Sequence, residues 1–301
     1  MPGVDQGRFV NLRILSSRYP KAPGLALLFL FGGVLVGAQA LAEMKGPHAE
    51  ALQKLQFDRP FSLSTPQGPR SVICLSSSHD KNLIGIIHEI TVKSTVENLV
   101  KIFENYENYT EIFDSLRKSK VTYREGAEVH IDFEGAVPFF LAPNSKYSMI
   151  YRTLVDHVKE TQNYKAYSFT LDQSKDLKSL DGVSVIRKIN AATSLYQEID
   201  FLDAHWGAAK VFAPGAIWKD SLEEIINTDI AMKIRAEEPE LPAKDVIKKA
   251  HVAMKSEENA LELCLKEKID AQGFLNQLIA APLSEKQSVA PKTDTPVKKL
   301  K

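Results

Sequence analysis

Asp229 is the residue whose type and position first suggest chemistry. Stepping through 215–237 at helical spacing puts Trp218, Leu222, Ile225, Ile226 and Met232 on one side. Asp220, Glu223, Glu224 and Asn227 take the other side, yet Asp229 falls inside the apolar cluster, near Trp218 and Leu222. A buried carboxyl needs a partner or a raised pKa. Asp229 can bind a ligand hydroxyl or headgroup, pair with an arginine such as Arg187, or escape burial by a small rotation at the helix end. His88, Arg187, Gln197 and Ser168 are the other polar side chains whose strand alternation turns them toward apolar faces. Isolated inward polar groups orient a headgroup in a ligand site. A lone histidine on an apolar strand face is more often a satisfied core residue.

The usual catalytic signatures are missing. The chain has no Gly-x-Ser-x-Gly elbow, glycine-rich phosphate loop or dinucleotide fingerprint. Glu128, His130, Asp132 and Glu134 share one strand face and could be read as metal ligands. A solvated outer face explains them better, because alternation puts polar residues there anyway. Cys74 has His79 nearby only in sequence, which does not make a nucleophile and its base. Neither a cofactor nor a metal is expected, and catalysis is the minority reading.

These residues need elements to position them. Ile84, Ile86, His88, Ile90 and Val92 alternate with Gly85, Ile87, Glu89 and Thr91, a strand by period two. Ser94-Thr95-Val96-Glu97 reads as a capping box opening a helix with Val96, Leu99, Val100 and Phe103 inward. A second short helix is expected over 106–113. Strands follow at 118–124, 127–134, 145–154, 164–171, 183–189 and 195–202, with Glu125-Gly126 and Asp181-Gly182 as turns. Last comes the long helix 215–237, closed by Pro239.

The fold class this order implies is α+β: a curved antiparallel sheet of about seven strands wrapped on one long helix, with two short helices plugging an end. Val129, Ile131 and Phe133 share a face, as do Tyr147, Met149 and Tyr151, and again Leu195, Ile199 and Phe201. With Trp218, Leu222 and Ile225 they can line a ligand cavity or fill an ordinary core.

Composition sets the outer limits. The chain has 301 residues, 44% hydrophobic and 25% charged, which excludes a wholly disordered or fibrous protein. Lys plus Arg and Asp plus Glu number 38 each, so no basic excess points to nucleic acid. Arg8, Arg13, Arg18 and Lys21 precede an apolar run from Gly24 to Ala42 with small residues at Ala38, Ala40 and Ala42. This pattern reads as a secretory signal peptide cut after Ala42, or else as an uncleaved membrane anchor. Cleavage leaves 34 bases against 37 acids. An exported protein can pair Cys74 with Cys264; two separately buried thiols are the alternative.

The order of elements, with Ser94-Thr-Val-Glu-Asn-Leu-Val-Lys-Ile-Phe-Glu-Asn-Tyr-Glu-Asn-Tyr-Thr-Glu-Ile-Phe113 ahead of the strands, resembles the START-like (SRPBCC) superfamily. Phe212-Ala-Pro-Gly-Ala-Ile-Trp-Lys-Asp-Ser-Leu222, running into Arg235-Ala-Glu237, is similar to that superfamily's carboxyl-terminal helix. The likeness is nearest the polyketide cyclase and coenzyme-Q-binding branch and covers residues 82–238. It implies a helix-grip fold holding one hydrophobic ligand, such as a lipid or quinone, with transient membrane contact.

The segments around that domain are expected as follows: 43–81 an extension and linker, 239–283 helices after the long one, and 284–301 a disordered lysine-rich tail. The helices of 243–281 either pack on the domain or form a partner-binding arm. The segments 172–181 and 204–215 are expected as loops beside the pocket. Trp206, Val211 and Phe212 in the second can form a membrane-touching lip or pack down as a hinge. The leading function is an exported carrier of a hydrophobic ligand. The alternatives are a cyclase- or hydratase-like enzyme on a hydrophobic substrate and a filled-core interaction module.

Overall fold

A computed structural model describes residues 44, 46–65, 68–69, 71–78, 83–135, 145–161, 163–204 and 214–280, all within one compact unit, 40–301. The expected signal segment, His79, the apolar lip at Trp206, Val211 and Phe212, and the lysine-rich tail lie outside the described residues. Among the described residues, no helix is long and apolar enough to cross a membrane.

In chain order the elements are α1 (Ala49–Gln53), β1 (Ser64–Thr65), β2 (Gly68–Pro69), β3 (Val72–Ser76), β4 (Ile84–Val92) and α2 (Val96–Phe103). A 3-10 turn, Tyr106–Glu111, leads to β5 (Leu116–Glu125), β6 (Glu128–Gly135), β7 (Ser145–Asp156), β8 (Tyr164–Ser174), β9 (Leu177–Asn190) and β10 (Thr193–Ala204). The chain ends in α3 (Pro214–Glu237), α4 (Ala243–Lys266), β11 (Ile269–Asp270) and α5 (Ala271–Ala280).

Nine strands form one sheet in the order β11-β3-β4-β10-β9-β8-β7-β6-β5. Every pairing is antiparallel except β11 with β3. Seven of these strands are those expected from alternation; β3 and β11 extend the sheet beyond β4, and they come from the segments flanking the resemblance. Register shifts interrupt the β5–β6, β7–β8 and β9–β10 ladders, and such bulges bend a sheet. Helix α3 packs on the resulting concave face, so the architecture is the expected helix grip.

Local chemistry accounts for the element ends. The helix cap is Thr95 and not Ser94: its side chain accepts from the Asn98 N–H, while Asn98 Nδ2 donates to Ser94 Oγ at 2.7 Å. Gly126 turns β5 into β6 with φ +56, a conformation that glycine reaches without strain. Asp181-Gly182 is not a turn. It lies inside β9, where a β-carbon at Gly182 would collide with the Phe169 ring and the Ile199 carbonyl. The segment 172–181 is accordingly a tight hairpin and not a loop, with Ser174 Oγ accepting from the N–H groups of Asp176 and Leu177.

Over β3, β4, β8, β9 and β10 both faces of the sheet are covered. The concave face packs Ile86, Ile131, Met149, Phe169 and Tyr196 against α2, the 3-10 turn and α3, with α4 stacked on α3. The convex face packs Ile87, Val185, Ile199 and Phe201 under Leu52, Leu55, Phe61 and Leu63 of the amino-terminal segment and Phe274 and Leu275 of α5. Strands covered on both sides lose simple alternation. In β9, every residue from Asp181 to Arg187 is buried.

The carboxyl-terminal half of α3 is fastened from several sides. Lys233 Nζ donates to the Thr91 carbonyl at 2.8 Å, Lys93 N–H to Glu237 at 2.7 Å, and Asn98 Nδ2 to the Ala236 carbonyl at 3.3 Å. Behind it, Cys264 of α4 is disulfide-bonded to Cys74 of β3, with Cα atoms 5.1 Å apart across 190 residues of sequence.

Candidate ligand cavity

Between the concave face and α3 lies a cavity of about 190 Å³. Its wall is mainly aromatic: Phe103 from α2, Tyr109 and Phe113 around the 3-10 turn, Phe133, Tyr147, Tyr151, Phe169 and Tyr196 from the strands. Met149, Ile225 and Met232 fill between the rings, and Leu116, Ser115, Leu180, Glu224 and Thr228 complete it.

The polar side chains are concentrated where β10 and α3 meet. His88 Nδ1 lies 2.5 Å from Asp229 Oδ2, both side chains nearly fully buried. Beside them Glu198 and Asp200, two residues apart on β10, point into the same cavity as Asp229. Tyr196 donates its hydroxyl proton to Glu198 Oε2 and lies 3.3 Å from Ser184 Oγ. Glu198 and Asp200 share one face of β10, so their carboxyls adjoin at this end of the cavity. Asp200 Oδ2 is buried without a partner.

Burial pushes the carboxyls of Glu198 and Asp200 well above the ordinary range; Asp200 and Asp229 push Glu198 further, and Asp229 pushes Asp200. Burial also raises Asp229, with His88 pulling the other way. Glu224, at the far end of the lining, is raised by burial too. The tyrosines Tyr109, Tyr147 and Tyr151 are held firmly protonated by burial. The cavity therefore gathers carboxyl groups whose ionised form burial disfavours.

Of the expected site residues, Phe133, Tyr147, Met149, Tyr151, Ile225 and Asp229 line this space. Val129 and Ile131 lie on the same core face without bordering it, and His88 reaches it through Asp229. Leu222 is buried in the core beneath the helix, and Trp218 is half-buried against that core. Arg187, Gln197 and Ile199 do not join them, since their strand positions put them on the convex face. There Arg187 donates to the carbonyls of Phe57 and Arg59 at 2.9 and 2.6 Å. Gln197 donates to the Phe61 carbonyl and accepts from its N–H, both at 2.9 Å. Ile199 belongs to the convex core, and Ser168 faces the same way. The partner of Asp229 is thus His88 and not Arg187.

Alternation in β10 was read from its apolar residues, Leu195, Ile199 and Phe201. In a strand covered on both sides those side chains belong to the second layer. The other parity, Tyr196, Glu198, Asp200 and Leu202, carries the cavity chemistry. The signal was present in the apolar residues of 52–63 and 274–275, which need a sheet face to cover. The polar face of β6 is partly exposed as expected: Glu128 accepts from Arg152 Nε at 2.5 Å and pairs with His130 at 2.5 Å. Among the described residues, no group of three or more metal-ligating side chains is gathered.

No family model matches the chain, and no curated protein matches it. Solved structures do. A START superfamily protein from Mycobacterium smegmatis is 10% identical with a TM-score of 0.40, covering 51% of this chain and 97% of that one. The human StarD13 (DLC2) lipid transfer and protein localization domain is 10% identical with a TM-score of 0.42, covering 56% and 90%. The Zhui aromatase/cyclase from Streptomyces sp. R1128 is 11% identical with a TM-score of 0.35, covering 66% and 97%.

Proposed function

We propose that this protein is an exported binding domain that encloses a small hydrophobic ligand between its sheet and α3, and carries or presents it. The observation that carries the reading is the aromatic cavity with a cluster of polar groups at one end. A filled core would leave no such space, since protein interiors are close-packed. An apolar cavity of ~150 Å³ admits benzene. The 190 Å³ here suits a ring-sized body or the end of a longer one, such as a quinone ring or part of a lipid. The Cys74–Cys264 disulfide supports export, because such bonds persist in oxidising compartments. The basic and apolar pattern of residues 1–42 supports it independently.

Native mass spectrometry of the chain purified from its host envelope, followed by organic extraction, tests this reading. A co-purifying apolar molecule, stoichiometric with the chain, is the expected result. A clean apo mass, with no uptake from added envelope lipids, would overturn it.

One observation favours a second reading, an acid–base enzyme on an apolar substrate. The Glu198 and Asp200 carboxyls sit beside the His88–Asp229 pair, so groups able to give and to take a proton face one cavity. Conversion of a bound ligand, abolished in Asp200→Asn with binding retained, would establish it.

A further inference from the structure

The ionisable side chains that line the cavity are all acids. Glu198, Asp200, Glu224 and Asp229 all line it, and among the described residues no lysine or arginine does. One imidazole, His88, offsets Asp229. Asp200 lines the cavity, is 4% exposed, and its buried Oδ2 has no hydrogen-bond partner. A buried polar atom left unpaired is costly, so this one is unfinished until something fills the cavity.

A ligand with a carboxylate or phosphate head would bring a further negative charge to this cluster and be repelled. A neutral head could satisfy Asp200 with one ordinary hydrogen bond. A protonated amine does more: it donates to the free carboxyl oxygen, compensates the local charge, and presents its positive charge to the surrounding ring faces. Tyr151, Phe169 and Tyr196 supply those faces from adjacent parts of the same wall.

We propose that the ligand of this cavity is a hydrophobic amine, bound as its ammonium ion with the nitrogen donating to Asp200 Oδ2 and the apolar body among the rings. The inference rests on the cavity being a ligand site at all. On binding, a carboxyl proton of this acid cluster leaves for solvent as the ammonium takes its place. The acids that face the exchange are Glu198 and Asp200 on β10 and Asp229 and Glu224 on α3, with the hydroxyls of Tyr109, Tyr147, Tyr151 and Tyr196 around them and His88 behind Asp229.

Calorimetric titration of the disulfide-intact chain with four probes of one body tests it: ethylbenzene, 2-phenylethanol, 2-phenylethylamine and phenylacetate. The amine is expected to bind about tenfold or more tighter than the alcohol, with phenylacetate weakest. Repeating the amine titration in buffers of different ionisation heat is expected to show proton release, which needs no variant. Asp200→Asn is expected to bring amine and alcohol to the same affinity. If ethylbenzene or the alcohol binds as well as the amine, or phenylacetate binds best, the amine is overturned while the cavity remains a ligand site. If none of the four binds, both the amine and the ligand-site reading fall.

Discussion

His88 on β4 and Asp229 on α3 meet at 2.5 Å across 141 residues of sequence, joining the sheet to the helix that covers it. Removing one member leaves the other buried without its partner. Asp229→Ala or His88→Ala is expected to cost about 3–5 kcal/mol in urea unfolding. The double variant should cost less than the sum of the two, and simple additivity would show that the contact contributes nothing of its own.

The raised acids give stability a pH dependence of definite sign. In the unfolded chain Glu198, Asp200 and Asp229 titrate in the ordinary carboxyl range, whereas folding raises them by burial. Between those values the folded state holds more protons, so their contribution is fully present below the unfolded pKa and is lost as pH rises through the folded one. The slope is about 1.4 kcal/mol per pH unit for each extra proton held. Wild type is therefore expected to lose more stability than Asp200→Asn between pH 5 and pH 8, measured by denaturant midpoints. Equal losses would remove the buried proton from the account.

The covalent tie is open to direct measurement. The chain has two cysteines, and both are in the bond. No free thiol should titrate in denaturant before reduction, and two should appear after it. Cys264→Ser is expected to cost about 2–5 kcal/mol, because the bond closes a long loop in the unfolded chain.

Arg187 separates structural from ligand-directed polar groups. It holds the carbonyls of Phe57 and Arg59 on the face away from the cavity. Arg187→Met should lower stability by about 1–3 kcal/mol and leave uptake of an apolar probe unchanged. Loss of uptake at unchanged stability would put Arg187 at the ligand after all.

Gly182 answers a question of space. Gly182→Ala drives a methyl into the Phe169 ring and the Ile199 carbonyl, and should cost about 1–3 kcal/mol. Gly126→Ala meets no neighbouring atom, so only the strain of its positive φ remains, a loss of about 1 kcal/mol. Thermal midpoints that ranked the two the other way would contradict the packing described.

Much of this architecture was legible because alternation is a local signal. Each expected strand exists, and the helix of Val96, Leu99, Val100 and Phe103 buries those four side chains. Asp229 was legible for the same reason, as a carboxyl out of place on an apolar helix face. The acids of β10 were not, because which parity of a strand faces the cavity depends on what covers the other side. That cover comes from Phe61 and Leu63, 135 or more residues before Glu198, and from Phe274, more than seventy after Asp200. Nor could spacing foretell that Cys74 and Cys264 meet, since α4 must first stack on α3 to bring them together.

The fastening of α3 has a consequence for the kinetics of exchange. Its second half is held by Asp229, Lys233, Ala236 and Glu237, with α4 and its cystine behind, so the helix cannot lift off the sheet as a rigid bar. On the carrier reading proposed above, a ligand would pass the opposite end, where Ser115, Leu116, Leu180 and Glu224 border the space. The helix would then act as a cantilever, residence time being set at its free end and affinity by groups beyond the point where it is clamped.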